Sequence, residues 1–173
     1  GWGEFTRAYA AQRSDTLVIA IEKKLARVIS SGKTQARENI PNIRYLVLDV
    51  AWFFAGIFAA DQFDEILINF PDPWPKARHH KHRFISPELT AELARICRPG
   101  AQLTFATDDY AYTREAAGVL EKSAAWENTQ GPYIARSELS GRPRSYFEQL
   151  HRDEGALIYF LQYALNRHSA GSQ

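Results

Sequence analysis

Residues 65–76 have the sequence EILINFPDPWPK, in which a short apolar run is followed at once by three prolines. The β-branched and apolar side chains of residues 65–70 predict a strand. Proline has no backbone N–H and a fixed φ, so the three prolines end the strand and stiffen the loop after it. The sequence therefore predicts a carboxylate, Asp72, held rigidly just beyond the end of a strand.

Around this loop the chain alternates short strands with longer helical segments. Strands are predicted at residues 16–21, 43–48, 65–70, 102–106 and 156–165, and helices at 6–12, 23–39, 86–96 with Ser86 as cap, and 110–122. This alternation is typical of βαβ units with a parallel sheet. A turn is expected at residues 98–100, and a long functional loop at about 128–152.

Composition limits the class of protein. The 173 residues are 45% hydrophobic with a net charge of +1, which excludes a disordered chain and fits one domain spanning residues 1–173. The longest apolar run, residues 50–60, is interrupted by Gly56 and is too short for a membrane helix. The single cysteine, Cys97, excludes an internal disulfide and a cysteine-rich zinc site. These features predict a cytoplasmic protein.

Acidic residues follow four of the predicted strands. They are Glu22, Asp49, Asp72 and Asp108, the last of which has Asp109 beside it. An open parallel α/β sheet binds its ligands beyond the carboxyl ends of its strands. The four acids are therefore expected to lie at one ligand site, although polar loop residues could supply some of them by chance.

Two glycines, Gly1 and Gly3, lead directly into the helix predicted at residues 6–12. Glycine lets a ligand approach the backbone closely at a helix N-terminus. Glu22 follows about 20 residues later, where an acid can bind a pair of ribose hydroxyls. A dinucleotide fingerprint would need a third glycine at Thr6, so a hydride-transfer enzyme is disfavoured. A plain helix-capping turn is the alternative interpretation.

Residues 76–83, KARHHKHR, form a basic run that contains no acid, in a chain that is nearly neutral. Such local patches bind phosphates, although a solvated face is the alternative. Charge alone assigns Arg78, Lys81 and Arg83 to nucleic-acid phosphate. Histidines 79, 80 and 82 are too close in sequence to converge on one ion, so no metal site is predicted.

The segment NFPDPWPKARHHKHR, residues 69–83, resembles the signature of the bacterial tRNA (guanine-N7-)-methyltransferases. Residues 105–108 (FATD) and 142–148 (RPRSYFE) resemble two further motifs of this family. The resemblance implies a Rossmann-like class I methyltransferase fold, α/β, with a mostly parallel seven-stranded sheet and helices on both faces. The family's first strand is expected to precede Gly1 and so to be missing here.

The same resemblance implies the chemistry and its participants. S-adenosyl-L-methionine would be the cofactor and tRNA the partner, with a methyl group transferred to N7 of a variable-loop guanine. The protein would act without a metal or a membrane, as a monomer or homodimer. Guanine N7 carries an in-plane lone pair, so the enzyme has mainly to align the reactants and exclude water.

Roles for individual residues follow from the resemblance. Asp72 would be the catalytic acid, and the cofactor would be bound by Gly1, Gly3, Glu22, Asp49 and Asp72. Substrate would be bound by Lys76, Asp108, Ser145, Tyr146, Phe147 and Glu148. Ser145 stands where the family usually has threonine, which keeps the hydroxyl.

Two other functions remain open from the sequence. Amino-group methyltransferases carry an Asn/Asp-Pro-Pro-aromatic element at this strand end, whereas the prolines of residues 69–74 (NFPDPW) are not adjacent. A non-catalytic RNA-binding relative is the second alternative, since the strand expected before Gly1 is missing.

Overall fold

The computed structural model describes residues 2–50, 55–74 and 83–166. They belong to two compact units. The first unit lies within Gly1–Phe54 and Ser140–Gln149, and the second within Ala55–Leu139 and Leu150–Gln173. The expectation of one domain over residues 1–173 stays a prediction.

The first unit is built around a βαβ arrangement. Its elements are α1 (Glu4–Ala11), β1 (Val18–Glu22), α2 (Leu25–Arg37) and β2 (Ile43–Val47). The two strands are parallel and in register, with Val18 opposite Ile43 and Glu22 opposite Val47. The Asn42 side-chain amide donates to the carbonyls of Ala10, Arg13 and Thr16, at 3.0, 2.8 and 2.9 Å, and so ties the loop after α1 to the start of β2.

The second unit contains a four-stranded mixed sheet. Its elements are β3 (Phe63–Asn69), α3 (Pro87–Ile96), β4 (Cys97–Thr107), α4 (Tyr110–Glu121), β5 (Trp126–Asn128) and β6 (Tyr159–Leu165). The strand order is β3-β4-β6-β5. Strands β3 and β4 are parallel, whereas β6 is antiparallel to both β4 and β5. A further helix, α5 (Tyr146–Asp153), has residues in both units.

The core of the second unit is formed by the inner strands and α4. Leu103 and Phe105 of β4 and Phe160 of β6 are completely buried. Tyr112 of α4 is also completely buried, and its ring packs edge-on against Phe105 with centroids 5.1 Å apart. Each such side chain contributes about 1.5–3 kcal/mol by leaving water, so this core fixes the sheet that carries the strand ends.

Helices α3 and α4 begin at side-chain caps. The Ser86 hydroxyl accepts the Leu89 amide at 3.2 Å, as the predicted cap requires. The Asp109 carboxylate accepts the Tyr112 amide at 2.7 Å. Caps of this kind satisfy amides that have no partner within the helix, and each contributes about 1 kcal/mol.

The predicted sheet is correct in part. The described residues contain six strands in two sheets, and the larger sheet is mixed, so the seven-stranded, mostly parallel sheet is not found there. The reason lies in β6, which follows α5 and runs back along β4 in the antiparallel direction. The predicted turn at 98–100 lies inside β4, where the pairing is irregular between Phe63 and Glu65.

The predicted loop at 128–152 is also corrected, because α5 begins within it. The Ser145 hydroxyl accepts the Glu148 amide at 3.0 Å, which is half of a capping box. The elements of the first unit agree with the sequence prediction to within two residues. No helix in the described ranges is long and apolar enough to cross a membrane.

One ion pair ties α3 to the chain before β3 and should make stability depend on pH. Glu92 accepts the Gly56 amide at 3.1 Å and binds Arg95, which donates to the Phe58 carbonyl at 2.6 Å. The hydrogen bond from Arg95 is the main reason that the pKa of Glu92 falls from 4.5 to about 2. Because the folded-state pKa is lowered, the stabilisation is present above about pH 4.5 and is lost as pH falls towards 2.

We therefore expect Glu92→Gln to lower the melting temperature at pH 6 and to have a smaller effect at pH 3. The measurement is thermal unfolding of wild type and variant across this range. A difference between the two proteins that does not change with pH would contradict this role of Glu92.

Candidate active site

The start of α1 is shaped for a residue without a side chain. Gly3 caps the helix with φ 80°, in the left-handed region. A Cβ at this position would lie 2.6 Å from the Ser31 hydroxyl oxygen and 2.9 Å from Ser31 Cβ. Both the conformation and the close packing of Ser31 against this backbone require glycine. Gly1 lies outside the described residues.

Glu22 lies at the carboxyl end of β1, where it was expected. Its carboxylate accepts the Lys24 amide at 3.0 Å and faces Arg27 at 3.4 Å. The Arg27 guanidinium in turn lies 5.7 Å from the centroid of the Trp2 ring. Arg27, which the sequence analysis did not select, therefore links Glu22 to the residues that precede α1.

Asp49 lies at the same edge of the small sheet as Glu22. Glu22 is opposite Val47 in the parallel pair, and the Leu48 amide donates to the Glu22 carbonyl at 3.2 Å. Asp49 follows directly and is half-buried. Within the first unit, the structure thus places Gly3 at a helix start and two predicted acids at neighbouring strand ends.

The loop after β3 has a strained backbone around Asp72. Phe70 and Trp74 have φ values of 49° and 45°, in the left-handed region that residues with side chains rarely adopt. Each such residue costs of the order of 1–3 kcal/mol unless its surroundings fix it. The Phe70 amide donates to the Ala106 carbonyl at 2.8 Å, which ties the loop to β4. Asp72 itself is exposed between these two residues.

Arg83 supports this loop, and its assignment to phosphate is corrected. Its side chain is only 3% exposed, so a phosphate cannot reach it. Its Nε donates to the Pro73 carbonyl at 2.8 Å, and its Nη1 binds the Glu115 carboxylate. Burial among these partners makes Arg83 a brace for the residue next to Asp72. Sequence charge alone could not show that the last member of the basic run faces inward.

Tyr112 completes the support from α4. Its phenol oxygen accepts the Phe84 amide at 2.8 Å and the Ile85 amide at 3.3 Å. The Arg83 guanidinium lies 4.9 Å from the centroid of the Tyr112 ring. Burial raises the pKa of Tyr112 to about 12, so the phenol stays protonated at neutral pH. The segment after the basic run is thereby attached to the core of the unit.

Asp108, at the end of β4, has a partner that the sequence analysis did not select. Its carboxylate lies 3.6 Å from His151 Nδ1, which is also 3.5 Å from Glu154. The His151 ring stacks on Phe70, with centroids 5.8 Å apart and 27° between the planes. His151 therefore touches both strand-end segments of the second unit. The sequence indicated His151 only weakly. It lies three residues after Glu148, about one turn further along α5, and so on the same face of the helix.

The segment 145–148 divides into buried and exposed members. Ser145 caps α5, and Glu148 is 2% exposed and paired with Arg142 at 2.8 Å. Tyr146 and Phe147 are 60% and 42% exposed, with ring centroids 5.6 Å apart. The structure therefore gives Ser145 and Glu148 a part in folding the segment. Contact with substrate stays a prediction for all four residues.

Three predicted side chains of the basic run, Lys76, Arg78 and Lys81, lie outside the described residues. Among the residues that are described, no group of three or more His, Cys, Asp or Glu side chains is placed to hold a metal ion.

The brace role of Arg83 predicts a loss of stability. Arg83→Leu removes the hydrogen bond to Pro73 and leaves Glu115 without its buried partner, so we expect it to lower the free energy of unfolding by about 2 kcal/mol or more. Arg98→Leu is the matched control, because it removes an exposed pair with Asp64 at 2.8 Å and should cost less than about 1 kcal/mol. Urea unfolding measures both, and equal losses would contradict the brace role.

Comparison with known proteins identifies the family. The family described as "Putative methyltransferase" matches residues 1–161. The chain is 34% identical to the tRNA (guanine-N(7)-)-methyltransferase of Leptospira interrogans over 165 residues, covering 95% of this chain and 75% of that protein. It is 33% identical to the enzyme of the same name from Chlamydia pneumoniae, covering 94% of this chain and 72% of that protein.

Solved structures agree on the fold. A structure described as "putative S-adenosylmethionine dependent methyltransferase from Listeria monocytogenes" superposes with a TM-score of 0.63 over 96% of this chain and 88% of its own, at 9% identity. This likeness shows a Rossmann-like methyltransferase fold. The family model and the two sequence relatives show that the chain belongs to the tRNA (guanine-N(7)-)-methyltransferase family.

Proposed function

We propose that this protein transfers a methyl group from S-adenosyl-L-methionine to N7 of a guanine in tRNA, in the variable loop. Membership of the family supports the reaction. The single structural observation that carries it is the strained, braced loop that presents Asp72 at the end of β3. We further propose that the chain forms one methyltransferase domain and works in the cytoplasm.

Methylation of guanine N7 does not require the enzyme to remove a proton from the nucleophile. Guanine N7 is already a nucleophile at neutral pH, so catalysis depends on aligning it with the methyl group and excluding water. A carboxylate can accept hydrogen bonds from the N–H groups of the guanine edge. We assign this positioning role to Asp72, because a carboxylate on a stiff loop loses little freedom when it binds.

The residues of the first unit fit a nucleoside cofactor. Gly3 gives α1 a left-handed start packed closely on Ser31, and the exposed amides of a helix start are suited to an anionic group. Glu22 is a partly buried carboxylate at a strand end, suited to a pair of ribose hydroxyls. We propose that Gly1, Gly3, Glu22 and Asp49 hold S-adenosyl-L-methionine, with Asp72 as a further contact. When bound, the cofactor supplies an electrophilic methyl group on its sulfonium.

For tRNA, we propose that Lys76, Arg78 and Lys81 bind phosphates and that Asp108 contacts the substrate. Arg83 is not among the phosphate contacts, because its guanidinium is buried against Pro73 and Glu115. In the segment 145–148, Tyr146 and Phe147 are the surface members that a base could reach. His151 contacts Asp108 and stacks on Phe70, so we propose that it positions Asp108.

The proposed role of Asp72 predicts a large loss of rate. Asp72→Ala should reduce methyl transfer to unmodified tRNA by about a hundredfold or more, because the guanine loses its alignment. The matched control is Asp64→Ala. It removes an exposed carboxylate near the start of β3, whereas Asp72 lies in the loop after the end of β3. Initial rates with labelled cofactor measure both. A near-normal rate for Asp72→Ala would overturn the assignment.

The proposed role of Glu22 predicts a selective loss of cofactor binding. Glu22→Ala should raise the dissociation constant of S-adenosyl-L-methionine by about tenfold or more, the effect of losing hydrogen bonds to a charged group. Binding of tRNA should not change. Glu38→Ala is the control, because its carboxylate is exposed, pairs with Arg7 at 2.8 Å and is not among the proposed cofactor contacts. Calorimetry measures cofactor affinity, and an unchanged value for Glu22→Ala would contradict the prediction.

A further inference from the structure

Two tyrosines lie together at the carboxyl end of β4. Tyr110 is the first residue of α4 and is 59% exposed. Tyr159 is the first residue of β6 and is paired with Thr107, the last residue of β4. The two rings have centroids 5.6 Å apart and are tilted by 49°. They therefore form a small aromatic surface two residues from Asp108.

The backbone that carries Tyr110 is fixed from both sides. The Asp109 amide donates to the Thr107 hydroxyl at 3.1 Å, and the Asp109 carboxylate caps α4 through the Tyr112 amide. Tyr112, two residues on, is completely buried in the core. An exposed aromatic on such a rigid turn can receive a planar group without losing much conformational freedom.

The charges nearby favour a base over a phosphate. Asp108 is half-buried, and Asp109 is half-buried at the helix start, so two carboxylates precede Tyr110 in the chain. A phosphate approaching this turn would be repelled, whereas a neutral nucleobase would not. Aromatic side chains bind unstacked RNA bases in this way, and the contact tolerates any base because every base has a π-face.

The topology separates this surface from the loop that carries Asp72. Strand β4 lies between β3 and β6. Adjacent strands are about 4.8 Å apart, so the start of β6 lies about 10 Å from the end of β3, across two strand spacings. Stacked bases are about 3.4 Å apart. The tyrosine pair and the Asp72 loop thus follow different strand ends, so we assign the pair to a nucleotide near the target guanine in an unstacked strand.

We propose that Tyr110 and Tyr159 form a stacking platform for an unstacked RNA base next to the target guanine. The proposal rests on the proposed function and adds a specific contact to it. A guanine that is pulled out of its stack leaves its neighbours partly unstacked, which costs free energy. The tyrosine pair replaces one of the lost stacking contacts.

The first test is tRNA binding by the full-length protein. Tyr110→Ala should raise the dissociation constant for tRNA by about tenfold, and Tyr110→Phe should keep wild-type affinity because the ring is retained. Tyr133→Ala is the matched control: Tyr133 is 63% exposed, and its amide binds Glu121 at the opposite end of α4. Equal affinity for wild type and Tyr110→Ala, or an equal loss in Tyr133→Ala, would overturn the platform.

The second test detects stacking directly. The probe is unmodified tRNA in which 2-aminopurine replaces the nucleotide beside the target guanine. Wild type and Tyr110→Phe should quench its fluorescence on binding, and Tyr110→Ala should quench it markedly less. Identical quenching by all three proteins would overturn the proposal. This failure differs from failure of the proposed function, which would appear as absence of N7 methylation by wild type.

Discussion

The hydrogen bond from Arg83 Nε to the Pro73 carbonyl is the interaction on which the site in the second unit depends. The loop that this hydrogen bond holds contains two residues with positive φ, Phe70 and Trp74. Such a conformation is strained, so we expect the loop to relax to another one when the bond is removed. Core packing against Tyr112 and pairing with Glu115 hold Arg83 in place. The position of Asp72 is thus set by the core. The three prolines of the loop only reduce the number of backbone conformations that the loop can adopt.

The sequence allowed local structure around the candidate site to be predicted where residue type decides it. The end of β3 after residue 69 follows from the prolines, and the cap at Ser86 follows from residue type and position. The cap at Asp109 was not predicted, although aspartate is a preferred residue at that position. The mixed sheet could not be predicted in this way, because the direction of β6 depends on tertiary packing. Helix α5 was not predicted because its residues are mostly polar. Ser145 and Glu148 nevertheless have the spacing of a capping box, and the Glu148 amide donates to the Ser145 hydroxyl.

For individual residues, burial in the structure indicated a role in folding or in binding more reliably than charge in the sequence did. Arg83 and Glu148 both belong to motifs that the sequence assigns to substrate, yet each is buried against a partner of opposite charge. His151 and Tyr110 belong to none of the sequence motifs. They were identified from their contacts in the structure, His151 with Asp108 and Tyr110 with Tyr159. Residues of a motif can thus support the fold of a candidate site, while residues outside the motif lie beside it.

We propose that the braced Asp72 loop serves methylation of guanine N7. The most direct measurement is methyl transfer from labelled S-adenosyl-L-methionine to unmodified tRNA by the full-length protein, followed by nucleoside analysis. We expect the label to appear as 7-methylguanosine. Label on an exocyclic amino group of adenine or cytosine, or no transfer by the folded full-length protein, would contradict it.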